Sequence, residues 1–230
     1  MESSKPYASL CILSYERGNL LFKGLQSLRA HTTYPHERIL HDDASVLADT
    51  RACIEMADVS YMILNKGKNR GIGQAMKACI GVSSGEYILK LDADLEYLPH
   101  WLETVVGIYE TQKDVVMVGL FNYLNYAPHD TRFKILEERE NCYIVEDFVN
   151  SGYLFNRHAW QCYGFGMGDD GWHQFVSKAA AENKHWTRSK LAIPKRDVVI
   201  NHGFSGNSVY IQNGQVAKTY KYPKIYPKQL

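Results

Sequence analysis

The sequence lacks the features that would place it in a membrane or in a disulfide framework. Its five cysteines are odd in number, scattered and without a C-x-x-C spacing, which disfavours both disulfide pairing and a zinc knuckle. The apolar runs are far shorter than the roughly 20 residues that span a bilayer, and residues 1–6 are polar rather than basic and then apolar. We therefore expect a soluble protein of the reducing cytoplasm.

The chain also lacks an excess of charge of either sign. Its 26 Lys and Arg residues balance 25 Asp and Glu residues, for a formal charge of +1. No general field would attract nucleic acid, so we do not expect a nucleic-acid partner. With no internal repeat, 230 residues and 45% hydrophobic composition, we predict one domain with one core. We divide it into a first half at about 1–120, a second half at about 121–215 and a tail at 216–230.

The first half alternates strands and helices. Apolar runs at 8–14, 37–43, 59–65 and 86–92 predict buried strands, and helical periodicity predicts a helix after each of them. A further strand is predicted at 114–120. This alternation is typical of an α/β fold in which helices cover a mostly parallel sheet and ligands bind at the carboxyl ends of the strands.

Beyond residue 120 the pattern becomes α+β. We predict a hairpin over 131–149, a strand at 151–157, a helix at 171–183 and a last strand at 197–203. The tail is rich in Lys, Tyr and Pro, which favours an extended or loosely ordered segment.

Polar residues follow the predicted strands of the first half where each strand ends. Each Asp among them also suits a helix cap or a turn, but polar residues at four strand exits together favour a binding edge. These residues are Ser14, Tyr15, Glu16, Asp42, Asp43, Asn65, Asp92 and Asp94.

Asp92 and Asp94 form a D-x-D pair around the small Ala93, directly after the strand ending in "ILKL". Two carboxylates this close repel each other unless a cation lies between them. Hard oxygen ligands suit Mg²⁺ or Mn²⁺, which keep sites open for phosphate oxygens.

These segments resemble family 2 glycosyltransferases with the GT-A fold. The likeness rests on "YASLCILSYERGNLLFKGLQSL", on "HDDAS", which resembles the family's "DDGS", and on "NRGIGQAMKACIGVSSGEYILKLDADLEY". It covers about residues 8–100. The resemblance implies that the first half binds a nucleoside-diphosphate sugar and that a divalent cation, Mn²⁺ or Mg²⁺, assists.

Carried over residue by residue, the resemblance assigns donor-binding residues and a metal ligand. Tyr15, Glu16 and Asp43 would lie near the base with Asp42 close by, Asp92 would face ribose or sugar hydroxyls, and Asp94 would bind the metal. This chain has Met76 and Lys77 where the family often has an Arg-Asn pair. Lys77 therefore either reaches the donor or is a solvated helix lysine. The donor-binding set is Ser14, Tyr15, Glu16, Asp42, Asp43, Asn69, Lys77 and Asp92.

The second half contains "YGFGMGDDGWHQF" at 163–175, which resembles the "G-x-G-x-E-D" element of inverting GT-A enzymes. The resemblance implies that Asp170 is the general base, that Asp169, in place of the usual Glu, binds acceptor hydroxyls, and that Trp172 forms a wall for a sugar ring. The alternatives are an acidic helix cap for the two aspartates and ordinary packing for the tryptophan.

His202 follows the last predicted strand, in "VVINHGFSGNS". Related GT-A enzymes often take a further metal ligand from a histidine downstream of the acidic pair, so the resemblance implies this role for His202. An imidazole among oxygen ligands would favour Mn²⁺, whereas a lone histidine can also be a simple hydrogen-bonded residue.

Together these assignments predict an inverting, metal-dependent transfer of sugar to an acceptor hydroxyl on a glycan, glycolipid, protein or small molecule. Three alternatives stay open. They are a metal-dependent nucleotidyltransferase or phosphohydrolase, which also uses paired carboxylates, a non-catalytic carbohydrate-binding protein, and a dinucleotide-dependent oxidoreductase. The last has only Gly71-x-Gly73 and lacks the third glycine.

Overall fold

A computed structural model describes residues 7–125, 134–148, 150–163, 176, 179–182, 187–202, 207–212 and 215–221. The first half alternates strands and helices as predicted. Its elements are β1 (Ala8–Ser14), α1 (Gly18–His31), β2 (His36–Asp42), α2 (Ala48–Glu55), β3 (Tyr61–Leu64), α3 (Ile72–Val82), β4 (Tyr87–Asp92), β5 (Leu95–Tyr97), α4 (Trp101–Thr111) and β6 (Val115–Gly119).

The second half is α+β, again as predicted. After a short 3₁₀ turn at Tyr123–Asn125, its elements are β7 (Ile135–Glu138), β8 (Cys142–Val145), β9 (Gly152–Asn156), α5 (Arg157–Tyr163), β10 (Lys190–Pro194), β11 (Val199–Asn201), β12 (Asn207–Gln212) and β13 (Gln215–Lys221). Within the helix predicted at 171–183, residues 176 and 179–182 are described and are helical.

One large sheet joins the two halves. Its strand order is β3-β2-β1-β4-β9-β6-β10-β8-β7. Strands β8 and β9 are antiparallel to their neighbours, so the other seven run in one direction. The predicted fold class, a mostly parallel sheet flanked by helices, is therefore confirmed.

The core lies where the sequence is most apolar. All seven residues of β1 and all five of β6 are buried, as expected for strands of a sheet covered on both faces. Helix α1 turns Leu21 and Leu28 towards this core. Among the described residues no helix is long and apolar enough to cross a membrane.

Two short strands, β5 and β10, were not predicted from the sequence, whereas β11 lies within the last strand predicted, at 197–203. Strands β5 and β11 pair antiparallel as a separate two-stranded ribbon, and β10 inserts between β6 and β8. With three and five residues, β5 and β10 carry too little periodicity to be recognised alone. The β5–β11 ribbon ties the segment before His202 to the segment after Asp94.

Candidate active site

The carboxyl ends of the first three strands are joined by backbone hydrogen bonds. The Asp43 amide donates to the Ser14 carbonyl at 2.9 Å, and the Asn65 amide donates to the Asp42 carbonyl at 2.9 Å. The polar residues predicted at these strand exits therefore lie along one edge of the sheet.

Glu16 follows β1 at this edge and binds the neighbouring loop. It has a left-handed backbone, with φ of 51°, and its side chain is buried against the loop after β2. The carboxylate accepts hydrogen bonds from the amides of Val46 at 2.5 Å and Leu47 at 3.0 Å, while the Glu16 amide donates to the Ser45 hydroxyl at 3.0 Å.

Asp42, the last residue of β2, binds the same loop. Its carboxylate accepts the Ser45 amide at 3.0 Å and the Ser45 hydroxyl. Burial raises the pKa of Asp42, the hydrogen bonds from Ser45 oppose that rise, and the nearby Glu16 adds to it.

Asp43 holds the loop that leads into α3. Its carboxylate accepts hydrogen bonds from the Asn65 side chain at 2.7 Å, from the Arg70 amide at 2.9 Å and from the Gly71 amide at 2.8 Å. Asn69 assists, because its side-chain oxygen accepts the same Gly71 amide at 2.9 Å. This loop enters α3 through Gly71, whose φ of 86° favours glycine.

Asp92 ends β4 beside a buried lysine. The Lys90 ammonium group lies 2.6 Å from the Asp92 carboxylate and 2.6 Å from the Asn150 carbonyl, and the Lys90 side chain is 0% exposed. Burial raises the pKa of Asp92 to about 6; Lys90 opposes this rise and Asp94 adds to it. The Asp92 amide donates to the Ser151 carbonyl at 3.2 Å.

Asp94 lies in the turn between β4 and β5, and its residue is only 7% exposed. The Arg17 guanidinium contacts its carboxylate, and its backbone carbonyl accepts the His202 amide at 3.0 Å. The structure thus brings His202, 108 residues further along the chain, to the D-x-D turn.

The His202 ring, however, is directed at Glu96, with 2.8 Å between Nε2 and Oε2. Among the described residues, no three His, Cys, Asp or Glu side chains are grouped so as to hold a metal ion. At the D-x-D turn, the carboxylates of Asp92 and Asp94 are the side chains that could bind a metal ion through oxygen. A metal role for His202 stays a prediction.

The remaining predicted site residues divide by position. Ser14 is 3% exposed and its hydroxyl has no hydrogen-bond partner among the described residues, whereas Tyr15 and Lys77 are half-buried. Asp169, Asp170 and Trp172, the predicted acceptor-side residues, lie outside the described residues.

Two site residues were missed by the sequence analysis. Lys90 is a charge inside an otherwise apolar strand, "YILKLD", and that charge was a signal, because a buried lysine needs a partner. Arg17 gave no such signal, because a charged residue after a strand is ordinary.

Comparison with known proteins places this arrangement in context. The model of the family described as "Glycosyl transferase family 2" matches residues 9–164. That range includes every described site residue except His202.

Two curated proteins are similar over about half of the chain. They are the glucosyl-dolichyl phosphate glucuronosyltransferase of Haloferax volcanii, 28% identical over 111 residues, and the glycosyltransferase GlyG of Streptococcus pneumoniae, 28% identical over 127 residues. The matches cover 48% and 54% of this chain, and the chain spans 36% and 42% of those two relatives.

Solved structures show the same fold. A mannosyltransferase from Pyrobaculum calidifontis, in complex with GDP-Man and Mn²⁺, superposes with a TM-score of 0.60 at 17% identity. S. aureus TarS 1-349 superposes with a TM-score of 0.58 at 13% identity. The alignments cover 85% and 84% of this chain and 59% of each of the other chains, so the GT-A fold expected from the resemblance is confirmed.

Proposed function

Because this chain belongs to glycosyltransferase family 2, we propose that it transfers a sugar from a nucleoside-diphosphate sugar to a hydroxyl group of an acceptor, with inversion at the anomeric carbon. One observation carries the proposal. The D-x-D turn of Asp92 and Asp94 lies beside the edge at which Ser14, Asp43 and Asn65 are hydrogen bonded, where sheets of this type bind ligands.

The donor binds along this edge. Glu16, Asp42 and Asp43 hold the two loops that border it, so the surface that meets the nucleotide is formed before the donor arrives. Preformed sites of this kind lose less conformational entropy on binding. The hydroxyl of Ser14, which has no hydrogen-bond partner in the part of the chain that the structure describes, is a further group at this edge that can bind a polar ligand.

The D-x-D turn has the chemistry that a divalent cation requires. Mg²⁺ and similar ions are commonly held by one or two carboxylates together with substrate phosphates, so a group of three protein ligands is not needed. The Arg17 guanidinium on Asp94 marks a position where positive charge is already stabilised. Asp94, assisted by His202, would hold Mn²⁺ or Mg²⁺, which would neutralise the charge of the departing nucleoside diphosphate.

The acceptor side completes the reaction. Asp170 takes the proton of the acceptor hydroxyl, the acceptor oxygen forms its bond to the anomeric carbon, and the bond from that carbon to the diphosphate oxygen breaks on the opposite face. Asp169 binds acceptor hydroxyls and Trp172 stacks on a sugar ring. The acceptor is a glycan, a glycolipid, a protein or a small molecule.

The test separates donor binding from transfer. Wild type, Asp170→Asn and Asp94→Ala are incubated with a panel of nucleotide-sugars headed by GDP-mannose and with a panel of acceptor sugars, in Mn²⁺ or in EDTA. Thermal shift reports donor binding and mass spectrometry reports products. Asp170→Asn should bind the donor as wild type does but lose transfer by at least about 100-fold, and Asp94→Ala should lose the Mn²⁺-dependent thermal shift.

The control is Asp58→Asn, which removes an aspartate that is 69% exposed and lies outside the site; it should behave as wild type. Release of sugar 1-phosphate, transfer of a nucleotide, or donor binding without any turnover would refute the proposal. These outcomes would indicate a phosphohydrolase, a nucleotidyltransferase or a binding protein, respectively.

A further inference from the structure

The two carboxylates of the D-x-D turn each carry a cation from the chain itself. Lys90 contacts Asp92 at 2.6 Å and Arg17 contacts Asp94. The four side chains together are formally neutral. Since unpaired buried carboxylates are costly, these contacts stabilise the turn when no ligand is bound.

The two cations differ in how firmly they are held. Lys90 has a side chain that is 0% exposed, and it donates a second hydrogen bond to the Asn150 carbonyl. Moving Lys90 away from Asp92 would therefore break both contacts and disturb the packing of the core. Arg17 has a side chain that is 29% exposed, and among the described residues its guanidinium contacts the Asp94 carboxylate. Arg17 can therefore move away at the cost of one ion pair.

A divalent cation at Asp94 would meet this guanidinium. With Arg17 in place, a doubly charged ion would lie against a single positive charge inside a partly buried turn, where screening by water is weak. One of the two cations must leave Asp94, and the exposed arginine is the one that is free to do so.

Resting on the proposed function, we propose that Arg17 is an exchangeable counter-cation of Asp94. It pairs with the carboxylate in the empty enzyme, leaves it when the divalent cation binds, and then binds the diphosphate of the donor. A metal-bound diphosphate is the nearest new anion to the released guanidinium, and the planar fork of arginine suits two phosphate oxygens.

The proposal predicts effects of opposite sign on two ligands. Arg17→Met removes the competitor, so Mn²⁺ alone should bind about tenfold more tightly. The same change removes a phosphate ligand, so a nucleoside diphosphate should bind about tenfold more weakly at saturating Mn²⁺. If Arg17→Met only disturbed the structure of the turn, the binding of Mn²⁺ and the binding of the nucleoside diphosphate would both become weaker.

The experiment uses the full chain without donor sugar. Electron paramagnetic resonance of free Mn²⁺ gives the metal affinity, and calorimetry at saturating Mn²⁺ gives the affinities of ADP, CDP, GDP, UDP and dTDP. Wild type is compared with Arg17→Met, with Arg17→Lys, which keeps the charge and should resemble wild type for Mn²⁺, and with Arg38→Met. The last removes a similar ion pair, 2.9 Å from Asp58, outside the site, and should change neither affinity.

The outcomes separate the inference from the function. If Mn²⁺ binds wild type and requires Asp94, but Arg17→Met binds it no more tightly, the exchange is refuted while the metal site stands. If Arg17→Met tightens Mn²⁺ but leaves the diphosphate unaffected, the second role of Arg17 is refuted. If wild type binds neither Mn²⁺ nor any of the five nucleotides, the proposed function and this inference fall together. Thermal melting of each variant verifies that it is folded.

Discussion

At the scale of single residues, the acidic side chains of the site are also structural. Asp43 accepts hydrogen bonds from three donor groups in the segment between β3 and α3, and Glu16 accepts two hydrogen bonds from the loop before α2. Carboxylates are suited to this because each oxygen can accept more than one bond. A donor-binding role and a loop-holding role are therefore combined in the same residues, and the donor-binding role stays a prediction.

Asp43→Asn tests the loop-holding role. In asparagine, an NH₂ group replaces one of the two carboxylate oxygens. Because this NH₂ group donates, it cannot accept the hydrogen bond from the backbone amide that faces it, and one hydrogen bond is lost. We expect the free energy of unfolding to fall by about 1–2 kcal/mol. Urea unfolding provides the measurement.

Asp58→Asn is the matched control, because Asp58 makes one exposed ion pair with Arg38 and should cost less than about 0.5 kcal/mol. Equal effects of the two substitutions would contradict the structural role of Asp43. Exchange of the Gly71 amide proton with solvent should also accelerate in Asp43→Asn.

At the scale of elements, the D-x-D turn is positioned by α1. A Cβ atom added at Gly24 would lie 2.7 Å from the Leu95 carbonyl oxygen, so the helix backbone approaches β5 closely at this point. Leu95 is the residue after Asp94, and α1 also supplies the Ser27 hydroxyl that accepts the Tyr97 amide at 2.9 Å. Helix α1, which follows Arg17, therefore fixes the position of the D-x-D turn relative to the helix.

Gly24→Ala should push α1 and β5 apart. Because the contact is with backbone, which cannot move aside cheaply, overpacking should outweigh the better helix propensity of alanine, and we expect a net loss of about 1–2 kcal/mol. Thermal unfolding of the variant measures this loss.

Gly107→Ala, in α4, is the control. No atom of the described residues lies within 4 Å of a Cβ atom added there, so alanine should stabilise the protein by about 0.5–1 kcal/mol. The prediction fails if both alanine variants are stabilised.

At the scale of the whole molecule, the two halves share one sheet and are fastened by a charged cluster. Asp114 precedes β6 in the first half and pairs with Arg139, from the hairpin of β7 and β8, at 2.7 Å. It also pairs with Lys190, at the start of β10, at 3.1 Å. Glu137 contacts both cations, so this cluster crosses the predicted boundary between the halves.

The cluster should make stability depend on acid. Hydrogen bonding to Arg139 lowers the pKa of Asp114 below its usual 3.8, against the effect of burial. The resulting stabilisation is present above pH 3.8 and is lost as the pH falls through the lower folded value. Wild type should therefore lose more stability between pH 6 and pH 3 than Asp114→Asn does.

Urea unfolding at both pH values measures the difference. Because Asp114 is 37% exposed, solvent screening keeps the effect small, and the comparison between variants is what matters. Arg139→Met removes the main cause of the shift and should show the same reduced sensitivity. An undiminished acid loss in both variants would exclude the cluster as its source.

The fold was largely predictable because its signals are local. The periodicity of β1, α1, β4 and α4 is strong, and the two strands were predicted to within one residue at either end. Strand β5, which was not predicted, has three residues and pairs with β11. This partner lies about a hundred residues away, so no local window contains both strands.

The sequence by itself determined the alternating fold, the edge at which polar strand exits meet, and the D-x-D turn, because each follows from periodicity and from the geometry of parallel strands. Only the tertiary structure decided which charges meet there. Arg17 on Asp94 and the His202 amide on the Asp94 carbonyl join segments far apart along the chain, whereas Lys90 and Asp92 lie two residues apart on β4. Electrostatic contacts act through space at a few ångströms, and the order of residues along the chain does not encode those distances.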